Sequence, residues 1–341
     1  MNMADVERKL AHIEVVEDLT SIDGADKIET AKILGWHVVV KKGEFKTGDP
    51  VIYVEIDSIL PNKPEFEFMR ERKFRVRTVR LKGQISQGIC FHPSILKTNH
   101  HVGDDVTKEI GITKLEPIIP AHLAGKIIGQ FPSFIQKTDE IRVQNIPNVI
   151  KRLAGIECYI TEKVDGTSFT AFVKDGVFGV CSRNLQLAET EGNAHWEIAK
   201  KNNLEEKMKA LNRNISIQGE IIGASIQNNH FHLRERKLLV FNAFDIDKYQ
   251  YFDFEQLKEI ALKLGLEMVP ILNENYKLEG DVDALVKMAT RKSVLDSALL
   301  LEGIVIRSKK EMMDMEMAKN FGSGRVSFKV LNPEYLLKNE G

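Results

Sequence analysis

The chain has 341 residues, with 48 Lys+Arg against 49 Asp+Glu, a net charge of −1, 43% hydrophobic and 28% charged residues. These values exclude a disordered tail, a collagen-like repeat and a disulfide-stapled mini-protein. Near-zero net charge leaves any attraction to nucleic acid to a local patch.

In chain order, MNMADVERKLAHIEVVEDL carries acids where a signal peptide needs a basic start and an apolar run. The next hundred residues are β-rich. HVVVKKGEF from His37, DPVIYVEIDSIL from Asp49 and KFRVRTVRL from Lys73 are dense in β-branched residues, with KKGE, KTGD and LKGQ as turns. Short strands at this spacing predict a small β-barrel, with the OB-fold as a good candidate. The stretch from Met69 to Gly83 carries Arg70, Arg72, Lys73, Arg75, Arg77, Arg80 and Lys82 against the single acid Glu71. Arg75 and Arg77 share a strand face, and this face with Arg80 and Lys82 could track a phosphate backbone.

A proline-bearing stretch with Pro117, Pro120 and Pro132 reads as a linker. We therefore divide the chain into a nucleic-acid-binding module at 1–115, a linker at 116–132 and a larger unit at 133–341. The larger unit mixes strands (ECYITEKV, FTAFVKDGVFGVCS, SIQGEII, LLVFNAFDI, EGIVIRS, RVSFKVL) with helical spacing in HWEIAKKNNLEEKMKALN and FEQLKEIALKLGLE, the latter stopped by Gly265. The class is α+β. The three cysteines, Cys90, Cys158 and Cys181, show no CxxC spacing, which points to a reduced compartment, cytosolic or nuclear-accessible. No apolar stretch is long enough for a membrane helix. No GxxxxGK[ST] pattern occurs, which argues against a P-loop NTPase.

The informative motif is Lys163-Val164-Asp165-Gly166 at the end of a predicted strand. Alternation puts Lys163 and Asp165 on one side, and Gly166 permits a tight turn or a close ligand. Downstream, in order, stand Ser182-Arg183-Asn184, Gly219-Glu220-Ile221-Ile222-Gly223, Phe244-Asp245-Ile246, Glu302-Gly303-Ile304-Val305-Ile306 and Ser327-Phe328-Lys329-Val330. This ordered set, over about residues 135–332, resembles the covalent nucleotidyltransferase superfamily of polynucleotide ligases and RNA capping enzymes. Capping enzymes and most DNA ligases carry an OB domain after the last motif, whereas only 12 residues follow Lys329. With the β-rich module in front, and with Arg142, Gln144 and Asn145 in the segment ahead of the lysine, the chain resembles the ATP-dependent RNA ligase family that has an N-terminal OB module.

The resemblance implies an OB-fold followed by an ATP-grasp-like nucleotidyltransferase domain of two antiparallel sheets with flanking helices. It also implies ATP, with AMP carried covalently on Lys163, and Mg²⁺ or Mn²⁺ held by Asp165, Glu220 and Glu302. Lys329 would touch the α-phosphate, with Arg325 compensating for Ser327 where relatives often have a second basic residue. Arg142 would reach the leaving pyrophosphate and Arg183 the ribose or polynucleotide phosphate. Phe244 would stack on adenine, Phe241 would pack in the core, and Thr161 and Glu162 would hold the purine edge through backbone atoms. The implied partner is RNA, as a nicked duplex or as 3′-OH and 5′-phosphate ends; we expect a monomer in the cytoplasm. Two other readings stand beside this one: a non-catalytic RNA-binding protein on a ligase fold, and a DNA ligase or GTP-using capping-type nucleotidyltransferase. Chemistry sets one demand on the ligase reading. An ordinary lysine has a pKa near ~10.4, so at neutral pH its nucleophilic form costs about 4 kcal/mol and needs help from its surroundings.

Overall fold

The computed structural model describes residues 9–115, 127–227, 229–321 and 324–339. In the N-terminal part, Asp18–Ser21, Ile28–Ile33 and Trp36–Lys41 form an antiparallel meander. Pro50–Val54 lies between Ala11–Val15 and Ile89–Phe91, antiparallel to both. Its continuous apolar run is explained by burial on both faces. Val51 and Tyr53 pack with Trp36 and Val38, whereas Ile52 and Val54 pack with Leu60, Phe66 and Val106.

The expected KFRVRTVRL strand is interrupted. A 3-10 helix, Pro64–Arg72, ends with Lys73 in the left-handed region, and Phe74 follows at φ 59°. Arg75–Val76 then pairs with Ser58–Ile59, while Thr78–Leu81 forms a separate hairpin with Gln84–Gln87. Of the expected linker, residues 116–126 lie outside the described residues. Residues 127–130 are a correction: Ile127–Gln130 is a strand, antiparallel to Leu185–Leu187.

Two sheets build the larger unit. One runs in the order Ile141–Arg142, Ser327–Leu331, Gly303–Ser308, Glu157–Lys163 and Ile271–Lys277, its first pair parallel and the rest antiparallel. The other is eight-stranded and has Thr167–Lys174, Ile215–Ile222 and Lys237–Asp245 side by side. Helices cover one face of each. Ile198, Leu204, Met208, Leu257, Ile260 and Leu264 pack on Phe169, Ala171, Ile215 and Ile217, and Val149, Leu285 and Met317 pack on Ile160, Ile304 and Phe328. The helix Phe254–Leu264 stops at Gly265, whose φ is +65°. The other predicted helix is split into Ala194–Lys201 and Leu204–Lys209, because Asn203 takes the left-handed conformation that asparagine tolerates. Among the described residues no helix is long and apolar enough to cross a membrane.

The two parts are sewn together. Gly35 N–H donates to Gln144 O at 3.0 Å, and a Cβ at Gly35 would lie 2.7 Å from Gln144 Cα, so only glycine allows this approach. Beside it Trp36 Nε1 donates to Asn145 Oδ1 at 2.7 Å, and Asn145 Nδ2 donates to Glu55 Oε1 at 2.7 Å. Leu331, Tyr335 and Leu336 of the chain's end pack into the Trp36–Tyr53 core.

Candidate active site

The Lys163–Gly166 motif is the connection between the sheets. Glu157–Lys163 ends in the five-stranded sheet and Thr167–Lys174 begins in the eight-stranded one. Backbone register then supplies the neighbours. Lys163 pairs with Gly303, placing Glu302 at its side, and Ser168 pairs with Glu220. Arg142 pairs with Lys329. A Cβ on Gly166 would meet Ile221 O at 2.3 Å, so the glycine is required by the close approach of the Glu220 strand.

Lys163 Nζ donates to Glu302 Oε1 at 2.6 Å, with both side chains largely covered. Burial alone would lower the Lys163 amine, but Glu302, Glu220 and Asp165 outweigh it and hold the amine above its ordinary value. In this state the lysine is therefore an ammonium. Glu220 is pushed up to about 8, first by burial and then by Glu302 and Asp165, against Lys163 and Arg183. Glu302 is also raised, by burial first, against Lys163. Its Oε2 is buried with no hydrogen-bond partner among the described residues. Three acidic side chains thus surround one ammonium in a poorly solvated place. Among the described residues no three His, Cys, Asp or Glu side chains converge tightly enough to cage an ion directly.

The cations beyond Lys163 fall into two kinds. Arg183 pairs with Asp139. Against desolvation, which would raise it, Arg183, Lys329 and Lys114 hold the Asp139 carboxyl below its usual value. Arg142 is 6% exposed. Its Nη2 donates to Asp57 Oδ2 at 2.5 Å and its guanidinium lies 5.7 Å from the Trp36 ring centre. Its Nε and Nη1 are buried with no hydrogen-bond partner among the described residues. Arg325 does not stand in for the missing basic residue at 327. It is buried, makes paired bonds to Glu311 at 2.6–3.2 Å, donates to Asn242 and covers the Tyr251 ring.

Phe244 is the clear correction. It is fully buried among Ile135, Phe172, Ile246 and Tyr251, so no ring face is open to a base. Gln218 pairs with Asn242 but Gly219 pairs with Val240, leaving Phe241 as the extra residue of a β-bulge. The bulge turns Phe241 into the cluster of Val164, Ile222 and Leu239, half-buried and 5.6 Å from the Arg307 guanidinium. Phe244 thus takes the fully buried place, and Phe241 packs at a cluster's edge, partly exposed. Thr161 and Glu162 are buried, and the Glu162 side chain accepts from Ser293 Oγ at 2.5 Å and Val294 N–H at 2.9 Å. It pins the loop that leads into Glu302.

Three residues escape the sequence reading. Arg307 is buried beside Thr161 and donates to Glu140 at 3.0 Å. A cation inside the apolar EGIVIRS strand was a visible signal for it. Ser293 and Tyr335 had none. Of the basic stretch, Arg75 lies in the short strand paired with Ser58–Ile59 and Arg77 in the link that follows, both half-buried, and Lys82 is exposed at the hairpin turn. Arg80 donates to Glu334 Oε1 at 2.5 Å and to Gly83 O at 2.9 Å. The next residue, Tyr335, donates to Asp165 Oδ2 at 2.6 Å, so the hairpin borders the Lys163 motif.

A family model described as RNA ligase matches residues 156–331, and one described as an OB-fold domain matches residues 10–93. The chain is similar to solved structures of Naegleria gruberi RNA ligase. One ligand-free variant of that ligase is 37% identical with a TM-score of 0.88, over 98% of this chain and 98% of that one. A variant with ATP and Mn is 38% identical with a TM-score of 0.88, over 97% and 99%. A structure with PPi is 38% identical with a TM-score of 0.87, over 98% and 99%. No curated protein gives a match.

Proposed function

The chain belongs to the RNA ligase family, an OB-fold domain followed by a nucleotidyltransferase domain, and from that premise we propose that Lys163 is its adenylylated nucleophile. The reaction is ATP-dependent ligation through an adenylylated enzyme. Lys163 Nζ attacks the α-phosphate and pyrophosphate leaves. AMP passes to a 5′-phosphate, and a 3′-OH then displaces AMP to form the phosphodiester. The single observation that carries the assignment is Lys163 Nζ at 2.6 Å from Glu302 Oε1, within the field of Glu220 and Asp165.

The donor chemistry fits a hard divalent cation. The Glu220 carboxyl, raised to about 8 first by burial, and the unpartnered Glu302 Oε2 are acid oxygens that lack a cationic partner of their own. Mg²⁺ and Mn²⁺ retain waters, so acids that do not converge directly can still hold them. Asp165, Glu220 and Glu302 would hold such an ion through retained waters, and it would supply positive charge at the α-phosphate and weaken the acids' grip on the ammonium. The chain does the rest. Glu302 aims the amine, and Lys329 and Arg183 offer cations to phosphate. The buried Nε and Nη1 of Arg142 suit pyrophosphate oxygens. Phe241 presents the ring on which adenine stacks. The substrate is RNA. Our reading adds a monomer acting in the cytoplasm on nicked duplexes, with Arg75, Arg77 and Lys82 along the strand.

Incubation with labelled ATP and no polynucleotide tests this. Label surviving denaturation, and absent after Lys163→Ala, is the expected result. Retained label from GTP instead would mean capping chemistry, and no label from either would mean a binding protein on this fold. A nick with RNA and DNA exchanged on each side then defines the strand requirement.

A further inference from the structure

The chain's last helix, Pro333–Asn339, is tied to the site at two points. At its start Asn332, fully buried, donates its N–H to Glu302 O at 2.9 Å and its Nδ2 to Leu301 O at 3.0 Å. Asn332 Oδ1 also accepts from Glu334 N–H at 3.0 Å, capping the helix. Less than one turn on, Tyr335 is 5% exposed. Its ring lies in the same apolar cluster as Trp36, Tyr53 and Leu336, and His230 meets it edge-on at 5.4 Å. Its hydroxyl donates to Asp165 Oδ2 at 2.6 Å, the only hydrogen bond to that carboxylate among the described residues.

From this geometry we propose that Tyr335 is a positioning residue for lysine adenylylation, holding the Asp165 carboxylate in its aim beside Lys163 and Glu302. The inference rests on the reading of Asp165 given above. Asp165 lies in a turn between two sheets, and a turn side chain needs an external partner to keep one rotamer. A buried phenol whose ring is wedged in a different core is such a partner, because its position does not depend on the turn. A hydrogen bond to an ionised acceptor is about twice as strong as a neutral one. Asn332 fixes the same helix to the Glu302 backbone, so one short helix sets the spacing of two of the three acids.

The test is Tyr335→Phe, which keeps the ring and removes only the donor. Two readouts are taken: the rate of Lys163 adenylylation, and the Mn²⁺ midpoint of the rise in melting temperature, measured with Mn²⁺ alone and no ATP. Outer partners of metal-binding carboxylates cost about 10–100-fold when lost. We expect a fall in rate and a rise in Mn²⁺ midpoint of about tenfold or more, an unchanged KM for ATP, and an unchanged melting temperature without Mn²⁺. In Asp165→Asn, adding Tyr335→Phe should cost nothing further. A wild-type Mn²⁺ midpoint in Tyr335→Phe, or additive losses in the double variant, overturns the proposal. If Asp165→Asn itself adenylylates normally, the reading of Asp165 fails. If that variant is inactive while Tyr335→Phe behaves as wild type, the site stands and only the role of Tyr335 falls.

Discussion

Lys163 and the basic stretch Arg75–Lys82 both carry cations on or beside β-strands, and composition does not separate them. Their surroundings do. Lys163 shares a covered space with three acids, and the protonation of Lys163, Glu220 and Glu302 is coupled there. Arg75 and Arg77 are half-buried, Arg80 and Lys82 are exposed, and Arg80 spends its charge on a surface bond to Glu334. Exposed pairs of that kind contribute little, ~0–1 kcal/mol. The lesson is that burial among unlike partners couples charges to one another, whereas solvent screens a charge at the surface.

Four experiments can break or sharpen that contrast. The largest effect belongs to Glu302→Gln, which removes the partner of the ammonium. Adenylylation should fall by about 10²–10³-fold, the scale of losing one electrostatic group aimed at the reaction. A rate within threefold of wild type, read from labelled ATP, would leave the coupled cluster without a role. The two phenylalanines come next. Phe244→Ala should destabilise by about 3 kcal/mol, as loss of a buried ring does. Phe241→Ala should instead leave the denaturation midpoint nearly unchanged and weaken ATP about 3- to 10-fold, the range of an aromatic stacking contact. Reversed results would restore the unbulged register.

Arg75→Ala with Arg77→Ala should lower nick sealing about tenfold and flatten its salt dependence by about two, one for each lost phosphate contact. Label capture by Lys163 should stay at the wild-type level. Equal loss of both steps would place these arginines in the chemical cluster after all.

The smallest effect concerns Glu220 in the ligand-free protein. Its folded-state carboxyl titrates at about 8 instead of 4.5, facing Glu302, Asp165, Lys163 and Arg183. A raised acid binds its proton more tightly when folded, so stability is lost as pH rises from about 4.5 through about 8. Glu220→Gln removes that loss. Its melting temperature relative to wild type should therefore climb by about 2 °C or more between pH 6 and pH 8.5. A difference that is flat with pH would mean that Glu220 is solvated like exposed Arg80 and Lys82.

The sequence by itself determined the class of fold and the chemical inventory. Alternation and turn residues exposed the β-rich front and the strand carrying Lys163, and the order of short motifs named Asp165, Glu220, Glu302 and Lys329. These are local patterns, readable within a few residues. Tertiary structure decided what those groups do to one another. The bond from Lys163 to Glu302 spans 139 positions and that from Tyr335 to Asp165 spans 170. No local periodicity encodes such pairs. The difference in burial between Phe241 and Phe244 goes with a single bulged residue, visible only once the partner strand was in register. The ammonium state of Lys163 was settled by which acids reached it after burial, because a pKa is set by neighbours and solvent access.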